Sequence, residues 1–97
     1  MLTRDDILEI LKNEKPRLSE EFGVEKIGLF GSYSRREEGP ESDIDIFVEL
    51  PYVSFSKLAG ILIFLENRFH HKVDLVRKHK FMKKSFLGRI ERESIVV

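Results

Sequence analysis

Residues 31–45 read GSYSRREEGPESDID. The stretch opens on a Gly-Ser pair and closes on Asp43 and Asp45, two aspartates one residue apart. It joins two apolar runs, Val24 to Phe30 and Ile44 to Leu50, whose residues favour strands. Two readings are open. Either this is a surface loop between strands, or it is a site for a phosphate chain and metal ions.

In a strand, positions i and i+2 point to the same face, so Asp43 and Asp45 share one side while Ile44, Ile46 and Val48 point into a core on the other. Two carboxylates this close repel each other unless a proton or a cation lies between them. Oxygen ligands without nearby His or Cys favour a hard cation such as Mg²⁺. A third acid, Asp74, interrupts the apolar run KVDLV, where a carboxylate opposes strand propensity. If that strand lies beside the one carrying Asp43 and Asp45, three carboxylates can serve a two-metal site, with ions about 3.5–4 Å apart. Gly31 permits close backbone approach to a ligand. The N–H groups that follow it, with the Ser32 hydroxyl, can hold phosphate oxygens.

Elements on either side complete the order. Thr3 caps a first helix with Asp5 and Asp6 in its first turn and an apolar stripe of Ile7, Leu8, Ile10 and Leu11. Lys15-Pro16 can end or bend it, but Leu18 and Phe22 extend the stripe, and Gly23 is the expected stop. A short helix is expected over Tyr33 to Glu38, then a turn at Gly39-Pro40. Ser54 or Ser56 caps a long helix to about Phe69, a strand runs from Lys72 to Val76, a helix from Phe81 to Glu93, and a final strand from Ser94 to Val97. Helices alternating with strands predict an α+β, two-layer domain spanning residues 1–97, with a sheet covered by helices mainly on one face and strand directions left open.

Composition sets the limits. The chain has 97 residues, 41% hydrophobic and 35% charged, and no cysteine, which excludes disulfide frameworks and thiolate metal sites. Met1 is followed by Leu-Thr-Arg-Asp-Asp, without the apolar centre of a signal peptide. The longest apolar stretch, Leu58 to Leu65, is far short of a membrane span, so a cytoplasmic location is expected. Charge is uneven. Residues 1–50 hold 13 acidic and 7 basic side chains, a balance of −6, and residues 51–97 hold 4 and 10, a balance of +6. This is either solvated surface or an acidic site beside a basic one, as a metal-bound polyphosphate needs.

The run GSYSRREEGPESDIDIFVEL resembles the signature of the polymerase-β-like nucleotidyltransferases: Gly-Ser, a basic residue, Asp-x-Asp, and a third acid on a later strand. The short chain is similar to the minimal nucleotidyltransferases (MNT), many of them antitoxins paired with a helical HEPN toxin. The resemblance implies a palm-like fold, a mixed sheet with helices packed against it, and a Mg²⁺-dependent transfer, with two ions and ATP as substrate. It implies that Gly31 and Ser32 hold the nucleotide phosphates, that Asp43 and Asp45 bind the ions, and that Asp74 completes the metal site and helps as base. It also implies an acceptor hydroxyl on a partner, as where family antitoxins pass AMP to a tyrosine of their toxin. A chain this short leaves no room for an acceptor-binding domain, which again points to a partner protein. One departure stands out: the family usually has Arg-Gly where this chain has Arg35-Arg36.

Other features are weaker. His70-His71 lacks a third ligand at helical spacing, and the basic run Arg77 to Lys84 is short for a nucleic-acid binder in a chain of zero net charge. Tyr33 is either a lid or packing. The broad apolar face around Ile63 and Phe64 is either core or a docking surface, for a partner or for a homodimer. The competing functional reading is a catalytically idle module that neutralises a toxin by contact.

Overall fold

The computed structural model describes residues 2–97. Helix α1 (Arg4–Phe22) begins at a capping box: Asp6 N–H donates to Thr3 Oγ1 at 3.2 Å, and Thr3 N–H donates to the Asp6 carboxylate at 3.0 Å. These bonds hold the Asp6 carboxyl below its ordinary pKa. Pro16 sits inside the helix and does not end it. It removes one N–H and leaves the carbonyl of residue 12 unpaired. Both positions are exposed, so that carbonyl is open to solvent, while Leu11 and Leu18 stay buried on the opposite face. Gly23, at φ 74°, closes the helix in the left-handed conformation, and its N–H donates to Ser19 O at 2.9 Å.

Strands β1 (Lys26–Phe30), β2 (Ile44–Glu49), β3 (Val73–Arg77) and β4 (Ile95–Val96) form one sheet in the order β3-β2-β1-β4. β1 runs antiparallel to both β2 and β4, and β2 runs parallel to β3. The parallel pair is joined by α3 (Phe55–Phe69), the crossover that parallel neighbours need. α4 (Lys84–Glu93) then returns the chain to the far side of β1.

Alternation along the strands sorts the two faces. Ile27 and Leu29, Ile44, Ile46 and Val48, and Val73 pack against Ile7, Leu11 and Leu18 of α1 and Ile61, Leu65 and Phe69 of α3. The opposite face carries a smaller cluster, in which Phe30, Phe47 and Ile90 are buried with Val76, Met82 and Phe86 beside them. Two helices thus cover one face and α4 alone covers part of the other.

Three expectations shift. The short helix forms over Gly31–Ser34 (α2) rather than residues 33–38. It stops early because Arg36 turns left-handed, at φ 58°. Glu37 N–H then donates to Ser32 O at 2.9 Å and Arg36 N–H to Tyr33 O at 3.2 Å, the paired bonds of a Schellman ending. α4 begins at Lys84, not Phe81, because Phe81 N–H bonds His79 Nδ1 at 3.2 Å in a preceding turn that leaves Phe81 83% exposed. On α3, Phe64 packs on the core beneath the Arg17 guanidinium, 5.2 Å from its ring, whereas Ile63 is exposed. Among the described residues no helix is long and apolar enough to cross a membrane.

Candidate active site

The site candidates converge at one end of the sheet, on the face that α1 and α3 leave uncovered. Phe30, the last residue of β1, is the register partner of Asp45 on β2. The chain turns at Gly31 immediately beyond it. Gly31 has φ +75°, and a Cβ placed there would lie 2.0 Å from Asp45 Oδ2. Glycine is therefore required twice, for the left-handed backbone and for the space the carboxylate fills. Ser32 follows, half-buried, and Ser34 Oγ donates to Gly31 O at 2.7 Å, which stiffens the turn.

Asp74 on β3 is the register partner of Asp45 across the parallel pair. Asp43 precedes β2 by one residue, at i−2 from Asp45. Asp74 is exposed, while Asp43 and Asp45 are half-buried. The electrostatics register this convergence. The Asp45 carboxyl is pushed up to about 6, first by burial, then by the charges of Asp74 and Asp43, with Arg89 and Arg35 opposing. The sequence-predicted aspartates and the Gly31-Ser32 turn thus come together.

The donor set suits a divalent cation. It is all oxygen, and Asp45 carries a repulsion that a bound cation would relieve. The spacing is looser than in a formed centre: among the described residues no three His, Cys, Asp or Glu side chains stand close enough to share one ion.

Sequence reasoning missed a second group at the site. Gly31 N–H donates to Glu93 Oε2 at 3.3 Å, and Glu93 Oε1 pairs with Arg35 Nη1 at 2.9 Å and Arg89 Nε at 3.3 Å. Arg89 and Glu93 are visible in the sequence as an i,i+4 pair of opposite charge. Nothing in their spacing tells that the pair folds back onto a glycine 62 residues away.

The other tempting residues take structural places. Tyr33 is buried, its hydroxyl 3.5 Å from His71 Nε2, and burial, then the charge of Glu38, raises its pKa. It packs; it is not a lid. His70 ends α3 in the left-handed conformation. A cleft of about 380 Å³ lies beside Tyr33, Phe69 and His71, and none of the three aspartates lines it. Within the basic run, Lys78 is engaged by Glu49 at 3.7 Å and Glu91 at 3.9 Å.

A family model described as a nucleotidyltransferase domain matches residues 7–97, and the chain belongs to that family. It is thus a member of the nucleotidyltransferase family by sequence. The chain is similar over its full length to the protein adenylyltransferase MntA of Thermococcus cleftensis, with 39% identity over 98 residues covering 100% of this chain and 98% of the relative. It is also 41% identical over 100 residues to a candidate protein adenylyltransferase of Methanocaldococcus jannaschii, with 100% of both chains covered. Among solved structures, the fold matches a chain of a toxin–antitoxin complex with AMP-PNP at TM-score 0.70 and 23% identity, covering 88% of this chain and 70% of that one. It matches a chain from the tri-AMPylated HEPN toxin–MNT antitoxin complex of Shewanella oneidensis at TM-score 0.64 and 21% identity, covering 91% and 69%.

Proposed function

We propose that this chain, as one catalytic domain, transfers AMP from ATP to a hydroxyl of a partner protein of the HEPN toxin class, in a Mg²⁺-dependent reaction in the cytoplasm. One observation carries the reading: Asp45 stands opposite Asp74 in the parallel ladder and in van der Waals range of the Gly31 turn. Names supply the rest of the support. Full-length relatives are called protein adenylyltransferases, and structural neighbours come from toxin–antitoxin complexes.

Each residue has a distinct task in this reading. Asp43 and Asp45, from the start of β2, hold the divalent ions. Asp74 completes the set and, being exposed, takes the proton of the acceptor hydroxyl as it attacks the α-phosphate. The Gly31-Ser32 turn receives phosphate oxygens on its backbone N–H groups and on the Ser32 hydroxyl. When bound, the metal ions lower the pKa of the attacking hydroxyl and neutralise charge on the leaving pyrophosphate. The protein itself supplies position and fixed charge.

The test is incubation of the chain with α-labelled ATP, Mg²⁺ and its co-purified partner. Label on the partner that disappears with Asp43→Asn/Asp45→Asn supports the reading. A double variant that neutralises the partner as well as the parent does would replace it with neutralisation by contact alone.

A further inference from the structure

The site described above already holds an anion. The Glu93 carboxylate lies against the Gly31 N–H, the Arg35 guanidinium and the Arg89 guanidinium, at 3.3, 2.9 and 3.3 Å. Its side chain is only 20% exposed, so the contact is partly shielded from water. One backbone N–H and two guanidiniums are the donors that a phosphate oxygen would use. They stand beside Gly31, the residue pressed against Asp45. A polyphosphate held near that carboxylate by metal ions would compete with Glu93 for the same three donors.

Within the nucleotidyltransferase reading, on which this rests, we infer that Glu93 is an intramolecular occupant of the polyphosphate position and that the nucleotide must displace it. The displacement is a side-chain rotation. The backbone on both sides is fixed, because Ser94 N–H donates to Ile90 O at 2.9 Å and β4 pairs with β1 through Leu29↔Ile95 and Gly28↔Val96. Once freed of Glu93, Arg35 and Arg89 turn their charge to the phosphates. Arg89 thereby becomes a phosphate-binding residue contributed by α4. While the site is empty Glu93 holds Arg89 and, together with Glu37 at 3.2 Å from Arg35 Nε, holds Arg35, and it sets a threshold that a ligand of higher negative charge crosses.

The experiment is calorimetric titration of the parent chain, Glu93→Gln and Glu93→Ala with a non-hydrolysable ATP analogue and, separately, with adenosine, in Mg²⁺ buffer below each protein's melting temperature. Removing the competing charge is expected to tighten the analogue about three- to tenfold in both variants, with adenosine unchanged. Binding that appears only in the variants also supports the inference. An unchanged or weaker Kd for the analogue, or equal gains for analogue and adenosine, would overturn it and leave Glu93 a structural tie. If the parent and both variants all fail to bind the analogue, the nucleotidyltransferase reading itself falls, which is a distinct result. Because Gln is nearly isosteric and Ala removes the side chain altogether, a folding defect in one leaves the other to decide.

Discussion

Asp45 and Asp74 face each other across the parallel pair of β2 and β3, one half-buried and the other exposed. That pairing places a like charge against the less solvated carboxylate and contributes, after burial, to raising Asp45 to about 6 from 3.8. A raised carboxyl means that the folded state binds its proton more tightly than the unfolded chain does. Stability from this group is therefore greatest below about pH 4 and is lost as pH rises through about 6.

Asp45→Asn is accordingly expected to stabilise the metal-free protein at pH 8, by about 1 kcal/mol after allowance for solvent screening of a partly exposed group. The gain should vanish near pH 4. Urea unfolding midpoints of parent and variant at the two pH values check both halves. An equal gain at both would separate the stabilisation from ionisation of Asp45.

Mg²⁺ should do by binding what Asn does by neutralisation. Millimolar Mg²⁺ is expected to raise the melting temperature of the parent chain at pH 8 and to raise it much less at pH 5, where protonation of Asp45 competes. In Asp43→Asn/Asp45→Asn the Mg²⁺ response should be absent at either pH. Thermal scans with Mg²⁺ and with EDTA measure it.

Gly31→Ala is expected to cost at least about 2 kcal/mol, because a left-handed backbone penalty adds to a clash with Asp45. The added methyl carbon would sit 2.0 Å from Asp45 Oδ2, so the carboxylate must move with it. Denaturant unfolding tests the stability. Loss of the Mg²⁺-dependent thermal shift tests the displacement.

Arg36→Gly runs the other way. Arg36 holds φ 58° for the ending of α2, a conformation glycine reaches without strain. The substitution gives up an exposed pair with Asp5 at 3.4 Å, whose worth is small. A net stabilisation of about 0.5–1 kcal/mol is expected after the entropy glycine adds to the unfolded chain. Equilibrium unfolding of Arg36→Gly beside Arg36→Ala isolates the backbone effect, since Ala loses the ion pair and keeps the strain.

Asp74→Asn is expected to retain the fold and to lower the rate of adenylyl transfer by about 10²–10⁴, the range for losing a general base. Asp43→Asn should lower it further. Single-turnover label transfer separates the two. Equal losses would place Asp74 among the indispensable metal ligands and not in a helping role.

Much of this site could be read from local pattern. The alternation of Ile44, Ile46 and Val48 with Asp43 and Asp45 determines which side each faces, and Asp74 is conspicuous because a carboxylate is out of place in KVDLV. Strand direction could not be read that way. Whether β3 lay beside β2, and in what direction and register, decided if Asp74 met Asp45, and that depends on the α3 crossover closing over a shared core. Pro16 left a break or bend open, yet the stop expected at Gly23 is where α1 ends, because burial of Leu11 and Leu18 outweighs the local loss of one hydrogen bond. The early end of α2 was hidden in Arg36, since side-chain identity does not announce a left-handed backbone at arginine. Glu93 and Arg89 were out of reach altogether, because an i,i+4 pair carries no information about what lies across the fold.

In the proposed reaction, the exposure of Asp74 bears on where a proton goes after it is taken up. Beside bulk water, that carboxylate can discharge directly, with no chain of side chains or buried waters to conduct the proton away. Under that reading, a base so placed needs no internal exit route for its proton.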